Sequence, residues 1–582
     1  MRAILLVLAA CGALPILGAA VENAAAVARK TVPGSAVHTP RPWIIVRGKV
    51  TVKDGHTLVF ADGLEVQLED GPDLDQLGKI GDWFYPAGRE ARAFLQKLIG
   101  EHDVKMFVNA GSEEYRRGER VIGDCYVDNV NLGHELIKNG WALADHSITS
   151  PMEIMAREDQ RGLWRGQFVL PAKWRKGERL PGEYAPMSAG EKAALWELGG
   201  RFQIEDGHVV ALSLGENEVN EPALGNLKHL SHLRSLEISG PKDGIAITDV
   251  LLSPLAGLAQ LKSLHLSHLH GVSDAGLVHL QALSQLERLE ITHTRTIGGS
   301  GLQHVRGLGQ LQLLDFNHTP ITDEGLEYLS GLSNLKSLGL RATQVTDRGM
   351  EHLKGLVQLE SLNLWETQVT DDGLAIVARL PGIKRLGLVN AAITATGLAH
   401  LKKLPALEDL EIRNIQGGDE AALAQVGKLI HVKRLEFGGM RATAAGMEHL
   451  KNLSNLQELE IGGSQFSDAG LAHLKGLSSL RTLNLLKVPI TDEGVAHLAT
   501  LTALEELHLT DTKITDAGLV HLGGLTRLNM LGLSGTSVTD EGLKRLAVLK
   551  KLRRVDLLHC PVTDDGVKRL KAALPELFVY YQ

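Results

Sequence analysis

The chain has 582 residues, 44% of them hydrophobic, and a formal net charge of -8, which leaves room for two or more domains with filled cores. That charge argues neither for general polyanion binding nor for a membrane surface. Only Cys125 and Cys560 lie beyond the N-terminal apolar run, so a disulfide framework and a cysteine metal cluster are both excluded.

Met1 to Ala20 has the composition of a secretory signal. Arg2 is its only charge, Ile4 to Leu17 is mostly apolar, and Leu17-Gly18-Ala19-Ala20 ends in small residues. The apolar run is short for a membrane span, and export to a periplasmic or extracellular compartment is expected. Leu8-Ala9-Ala10-Cys11 gives a minor alternative, a lipid anchor on Cys11. Residues 21–42 are small and proline-containing, as in a linker.

Residues 43–170 differ from everything after them. Ile44 to Val52, Thr57 to Phe60 and Leu64 to Leu68 are expected as strands, separated by Asp54-Gly55 and Asp62-Gly63 turns. Glu90 to Ile99 has helical spacing, with Ala91, Phe94, Leu95 and Leu98 on one face. Val104 to Val108 and Val121 to Val127 are further strands, and Asn131 to Asn139 and Pro151 to Leu163 are helical. Strands first and helices later predict a small closed β-barrel with packed helices.

The segments GKVTVKDGHTLVF, GLEVQLEDGPDLDQ, YPAGREARAFLQKLI, RRGERVIGDCYVDNVNLGHELIKNGWA and REDQRGLW follow one another between Val46 and Trp164. In that order they resemble the staphylococcal nuclease-like (thermonuclease) domain, an OB-type barrel. The resemblance implies calcium-dependent hydrolysis of phosphodiester bonds, with carboxylates on the metal, a glutamate activating water and two arginines clamping the phosphate. Asp70-Gly71-Pro72-Asp73 matches the family's Asp-x-Pro-Glu. The resemblance therefore makes Asp70 a metal ligand and puts Asp73 in the place of the catalytic base, one methylene shorter. Arg120, six residues before Tyr126, matches one phosphate clamp.

Two positions depart from the family. Asp54-Gly55-His56-Thr57 stands for Asp-Gly-Asp-Thr, so His56 replaces a metal carboxylate where a hard calcium ion prefers oxygen. Val66-Gln67-Leu68 stands for Val-Arg-Leu, and Gln67 donates a hydrogen bond but cannot neutralise developing charge, a loss of about 10²-fold or more. Acidic residues slightly outnumber basic ones between Trp43 and Leu180, which does not favour nucleic acid as a partner. A barrel of degenerate active site is the first reading. A calcium-dependent nuclease, with His56 among its metal ligands, is the alternative.

Residues 171–188 link this region to the rest, and Ala189 to Leu198 is expected as a capping helix, with Val209 to Leu214 as the first strand after it. From there the chain repeats. The acidic residue of an I/V-T-D signature recurs at Asp323, Asp347 and Asp371 and again from Asp468 to Asp564, every 24 residues within each run. A period of about 20–29 residues with an L-x-x-L-x-L core is the mark of a leucine-rich repeat solenoid, here about 15 units over 189–582. In Leu335-x-x-Leu338-x-Leu340 the last two leucines share one side of a short strand. Thr343 turns the chain, Thr346 caps a helix, and Asp347 favours its positive end. His304, His352, His400, His449, His473, His497 and His521 share one helix position and are expected to face outward. The unit T-x-I-T-D-x-G-L-x-x-L is similar to the leucine-rich repeats of bacterial multi-repeat proteins, which are mostly interaction scaffolds.

Recognition in a solenoid is expected on the strand face. There the variable positions include Glu290, Asp315, Asn363, Glu411, Glu436, Glu460, Asn484, His508 and Asp556, flanked by Asp409, Arg413, Arg434, Glu458 and Glu506. Trp365, just past its strand, is expected as an exposed aromatic anchor. With no catalytic set on that face, a protein ligand is the expected partner, and calcium in the barrel the one expected cofactor.

Overall fold

The structure is a computed structural model and describes residues 43–53, 57–60, 65–67, 78–80, 83–85, 87–109, 121–122, 124–128, 130–139, 160–161, 167–168, 188–216, 219, 224–241, 248–414, 419–438 and 443–581. It divides into two compact units, residues 1–214 and 215–582. Among the described residues no helix is long and apolar enough to cross a membrane.

In the first unit, strand Trp43–Gly48 pairs antiparallel with Val104–Asn109, which pairs with Asp124–Val127 and so with Val130–Asn131. A second sheet runs Val50–Val52, Thr57–Phe60, Glu65–Gln67, Val121–Ile122, the last pair parallel. The one strand expected over Ile44–Val52 is thus two strands in two sheets, with Lys49 between them, and Val121 to Val127 is split the same way. Small barrels close by passing a strand from one sheet to the next at such a corner. Helix Ala87–Ile99 buries Ala91, Leu95 and Ile99, four residues apart on one stripe, and Leu132–Lys138 buries Leu132 and Leu136. Most of Pro151 to Leu163 lies outside the described residues.

Two hairpins escape the sequence reading. Gly78–Ile80 pairs with Trp83–Tyr85, and Arg201–Glu205 pairs with His208–Leu214, so Val209 to Leu214 is a hairpin strand. Helix Ala189–Leu198 forms as expected and opens with a capping box: Ser188 accepts from the Glu191 amide and the Glu191 carboxylate accepts from the Ser188 amide. Glu191 is buried and also accepts from the Val209 amide, with His208 Nδ1 at 3.2 Å. Burial alone would raise its pKa, but these bonds, led by those from Ser188, hold it below the usual value.

Among the described residues the second unit carries fifteen parallel strands, from Ser235–Ser239 to Phe578–Tyr581, each following its predecessor in the sheet in chain order. The register never slips: Leu314, Leu338, Leu362, Leu386 and Leu410 lie side by side, all buried. Strands lie about 4.8 Å apart whereas packed helices need about 8–10 Å, so the strand face is the concave one.

Asp347 does more than favour a helix end. Its carboxylate reaches into the next repeat, accepting from the Thr370 amide at 2.7 Å, the Thr370 hydroxyl at 2.6 Å and the Gly373 amide at 3.0 Å. A Cβ on Gly373 would stand 2.3 Å from that carboxylate, which is why the signature continues to glycine. The same tie runs from Asp323 to Thr346, Asp371 to Thr394, Asp468 to Thr491, Asp492 to Thr515, Asp516 to Thr539 and Asp540 to Thr563. Thr343 turns the chain by donating to the Leu340 carbonyl at 2.6 Å. The seven repeat histidines on the helix side are half-buried or exposed, and none is in the core.

Candidate functional site

The strand face is laid out as a grid, because alternate residues of each strand point away from the core and neighbouring strands keep one register. Its densest chemistry lies on three adjacent strands, Asp409–Glu411, Arg434–Glu436 and Glu458–Glu460. Arg434 sits at the centre. Its guanidinium reaches Glu411 at 2.6 Å, Glu436 and Glu460 at 3.0 Å, Asp409 at 3.1 Å and Glu458 at 3.3 Å. Arg413 adds a second cation through an ion pair with Glu436. Five carboxylates against two guanidinium groups leave the cluster net negative.

Burial decides the electrostatics here. It opposes the charge on Arg434, yet the bonds from Glu411, Asp409 and Glu460 hold that guanidinium protonated more firmly than usual. Burial also pushes the Glu411 carboxyl up against the opposing pull of Arg434. Glu436 is 5% exposed, and a carboxylate so placed needs both of its arginine partners. Glu411, Glu436 and Glu460, expected on this face, are thus brought together. His508 is not, because Asn484 separates its strand from that of Glu460.

Trp365 lies two strands to the other side and is not a free anchor. It is half-buried, with the Arg341 guanidinium carbon 5.0 Å from its ring centroid. A Cβ on Gly387 would stand 2.4 Å from the indole Nε1, so the ring lies against that glycine. The expectation of exposure overlooked that a glycine in the next repeat leaves the indole a place to lie down.

One group of residues was missed from the sequence. His268, His293 and His318 occupy one column just past consecutive strands, all with positive φ between 53° and 58°. Their rings stack, with centroids 4.7 and 4.5 Å apart, and His270 meets His268 edge-on at 6.1 Å. Burial, then the charges of His318, His268, Arg341 and His265, hold the His293 imidazole below its ordinary value. The signal was available: these histidines recur every 25 residues, within one residue of the repeat period.

In the barrel, His56, Asp70, Asp73 and Arg120 lie outside the described residues. The backbone register lays Gln67 beside Thr57 on one side and Ile122 on the other. Thr57 follows His56 in the chain and Val121 follows Arg120. Thr57 is fully buried, and its hydroxyl has no partner among the described residues. An imidazole at position 56 does not fit the all-oxygen shell that calcium takes.

Comparison with known proteins names both halves. Residues 72–166 match the staphylococcal nuclease homologue family, residues 299–555 a leucine-rich repeat region and residues 548–571 a single leucine-rich repeat. Two proteins of Oryza sativa subsp. japonica, described as probable staphylococcal-like nucleases CAN2 and CAN3, are each 33% identical over 100 residues. That stretch is 16% of this chain, which spans only about a quarter (26%) of either relative's length. Among solved structures, an internalin (inlF) from Listeria monocytogenes matches with 23% identity and TM-score 0.42, over 64% of this chain and 96% of its own. A leucine-rich repeat protein of Leptospira interrogans matches with 19% identity and TM-score 0.44, over 63% and 94%. The chain carries a staphylococcal nuclease-like OB-type barrel followed by a leucine-rich repeat solenoid.

Proposed function

We propose that this is an exported protein-binding or scaffolding protein, whose solenoid holds a protein ligand on its strand face and whose barrel has a degenerate active site. The observation that carries it is the cluster around Arg434: five carboxylates and two arginines fixed on a rigid sheet, with no group placed to act as a nucleophile. A binding face gains from pre-set polar groups, because less side-chain freedom is lost on association. The full chain, exposed to extracts and cross-linked, should join partner proteins through residues of the strand face. Cross-links confined to the helix side would refute this reading. Processing after Ala20, read by N-terminal sequencing of exported protein, tests the signal, and a lipid-modified Cys11 would replace it.

The match to a nuclease family supports a second reading, metal-dependent hydrolysis of DNA or RNA by the barrel, with the solenoid positioning it. The full chain should be tested on single-stranded DNA and RNA with calcium, manganese, zinc and chelator. Cleavage lost in Asp70→Ala and Arg120→Ala would establish that reading. Cleavage appearing only after His56→Asp and Gln67→Arg would locate the degeneracy at those two positions.

A further inference from the structure

The strand face is not uniform: where its central column reaches glycine, it sinks. That column runs Asp315, Gly339, Asn363, Gly387, Glu411 across five adjacent strands. Around Gly339 a depression of about 250 Å³ is lined by Glu290, Asp315 and Arg288, and around Gly387 one of about 200 Å³ is lined by Asp409, Glu411 and Arg385. Ser361 and Asn363 form the wall they share. The Gly339 depression therefore sets two carboxylates against one arginine. At the Gly387 one, Asp409 and Glu411 share Arg434 and Arg413 with Glu436, Glu458 and Glu460. With Arg385 that is five carboxylates against three arginines, so both depressions stay net negative. Resting on the protein-binding reading above, we infer that the two depressions are paired sockets for one extended peptide segment of the partner, carrying two basic side chains three residues apart.

The spacing follows from the sheet. Gly339 and Gly387 are two strands apart, which is about 9.6 Å at the usual strand separation. A polyproline II chain rises about 3.1 Å per residue with three residues per turn, so side chains i and i+3 share a face about 9.3 Å apart. A peptide lying across the strands would place successive turns in successive sockets. The wall suits a peptide backbone: the Asn363 side-chain carbonyl accepts from the Trp365 amide at 2.9 Å, and its NH₂ group has no partner among the described residues. That group is free to donate to a main-chain carbonyl.

The charge follows from burial. Asp315 and Glu411, one in each socket, are both pushed up in pKa chiefly by loss of solvent. A carboxylate short of water gains more from an incoming cation than an exposed one does. An acidic peptide or a nucleic acid phosphate would instead meet like charge on both sides of the wall.

The test uses the full chain and fluorescein-labelled peptides read by anisotropy. An Arg-Pro-Pro-Arg peptide should bind at least about tenfold tighter than Arg-Pro-Arg, Arg-Pro-Pro-Pro-Arg or Glu-Pro-Pro-Glu, a difference of about 1.4 kcal/mol. Asp315→Asn and Glu411→Gln, shown by circular dichroism to be folded, should each weaken it about tenfold, while His508→Ala should not. Equal binding at all spacings, or indifference to both substitutions, would overturn the inference. A displayed random-peptide library panned on the same chain separates the two levels. Binders without paired basic residues that His508→Glu or Trp365→Ala abolishes would overturn the sockets and keep the protein-binding reading. No binder from either source would overturn both.

Discussion

The flanking repeats of the solenoid and its middle repeats are held together on different sides. From Asp323 to Thr394 and from Asp468 to Thr563, an aspartate in each unit grips the threonine of the next. Between them Ala395 and Ala444 stand where that aspartate belongs. Among the described residues the stretch keeps only a weaker contact, from the Thr443 hydroxyl to Glu420 at 3.3 Å. Those same repeats are the ones bridged on the strand face by Arg434. In these repeats, contact between units has moved from the helix-start row, which has lost its aspartates, to the strand-face row. A solenoid is stable only as the sum of its neighbour contacts, so one row can drift where another takes its place.

Breaking the middle directly should give the largest effect. Arg434→Met leaves five carboxylates facing one another and is expected to cost about 2–3 kcal/mol at neutral pH, below the full cost of breaking a buried pair because its side chain is 26% exposed. Hydrogen exchange should show the loss concentrated between residues 395 and 467, and lower pH should restore it as the carboxylates take up protons. If Arg434→Met costs less than a single rim tie, the contrast fails. Asp347→Ala strips partners from two amides and a hydroxyl and should cost about 1–3 kcal/mol, read as a lower urea midpoint and local loss of protection at Thr370 and Gly373. Ala444→Asp sharpens the contrast by installing a tie: Ser467 and Gly470 follow in the spacing that receives it elsewhere, and a gain of about 0.5–1 kcal/mol is expected.

The smallest effect concerns the imidazole stack. His293 is held below its ordinary value of 6.5 in the folded chain, so protons favour the unfolded state. Its contribution to stability is complete above about pH 6.5 and is lost as pH falls through that value toward its lowered folded one. His293→Asn suits the left-handed backbone there and should flatten the acid limb of a stability–pH profile without changing the neutral plateau.

Most of the solenoid was legible because its signals are periodic and local. Leucine spacing placed the strands, and the T-D pair placed the helix starts. The partner of that aspartate was not legible, since a carboxylate in a first helical turn looks the same whether it serves its own helix or the next repeat. The residues around Arg434 were readable one by one as strand-face positions, whereas the five-to-one bonding depends on strand register. Trp365 was misjudged because the space that receives it belongs to Gly387, one repeat away. In the barrel the strand Glu65–Gln67 falls within the expected Leu64 to Leu68. The corner at Lys49 was overlooked, although Arg47-Gly48-Lys49 interrupts the apolar run and a glycine inside a strand marks a bend.

The rim ties also set how the solenoid bears load. Each links only adjacent units, so under tension along the stack they act as links in series, and the weakest determines where it yields. At neutral pH the guanidinium of Arg434 reinforces the stretch that has no rim ties. In acid the protonated carboxylates would let go of it, and a chain pulled from its ends in an optical trap would part first between Ala395 and Ser467. The solenoid would then behave as two stiff rods joined by a joint that pH unlocks.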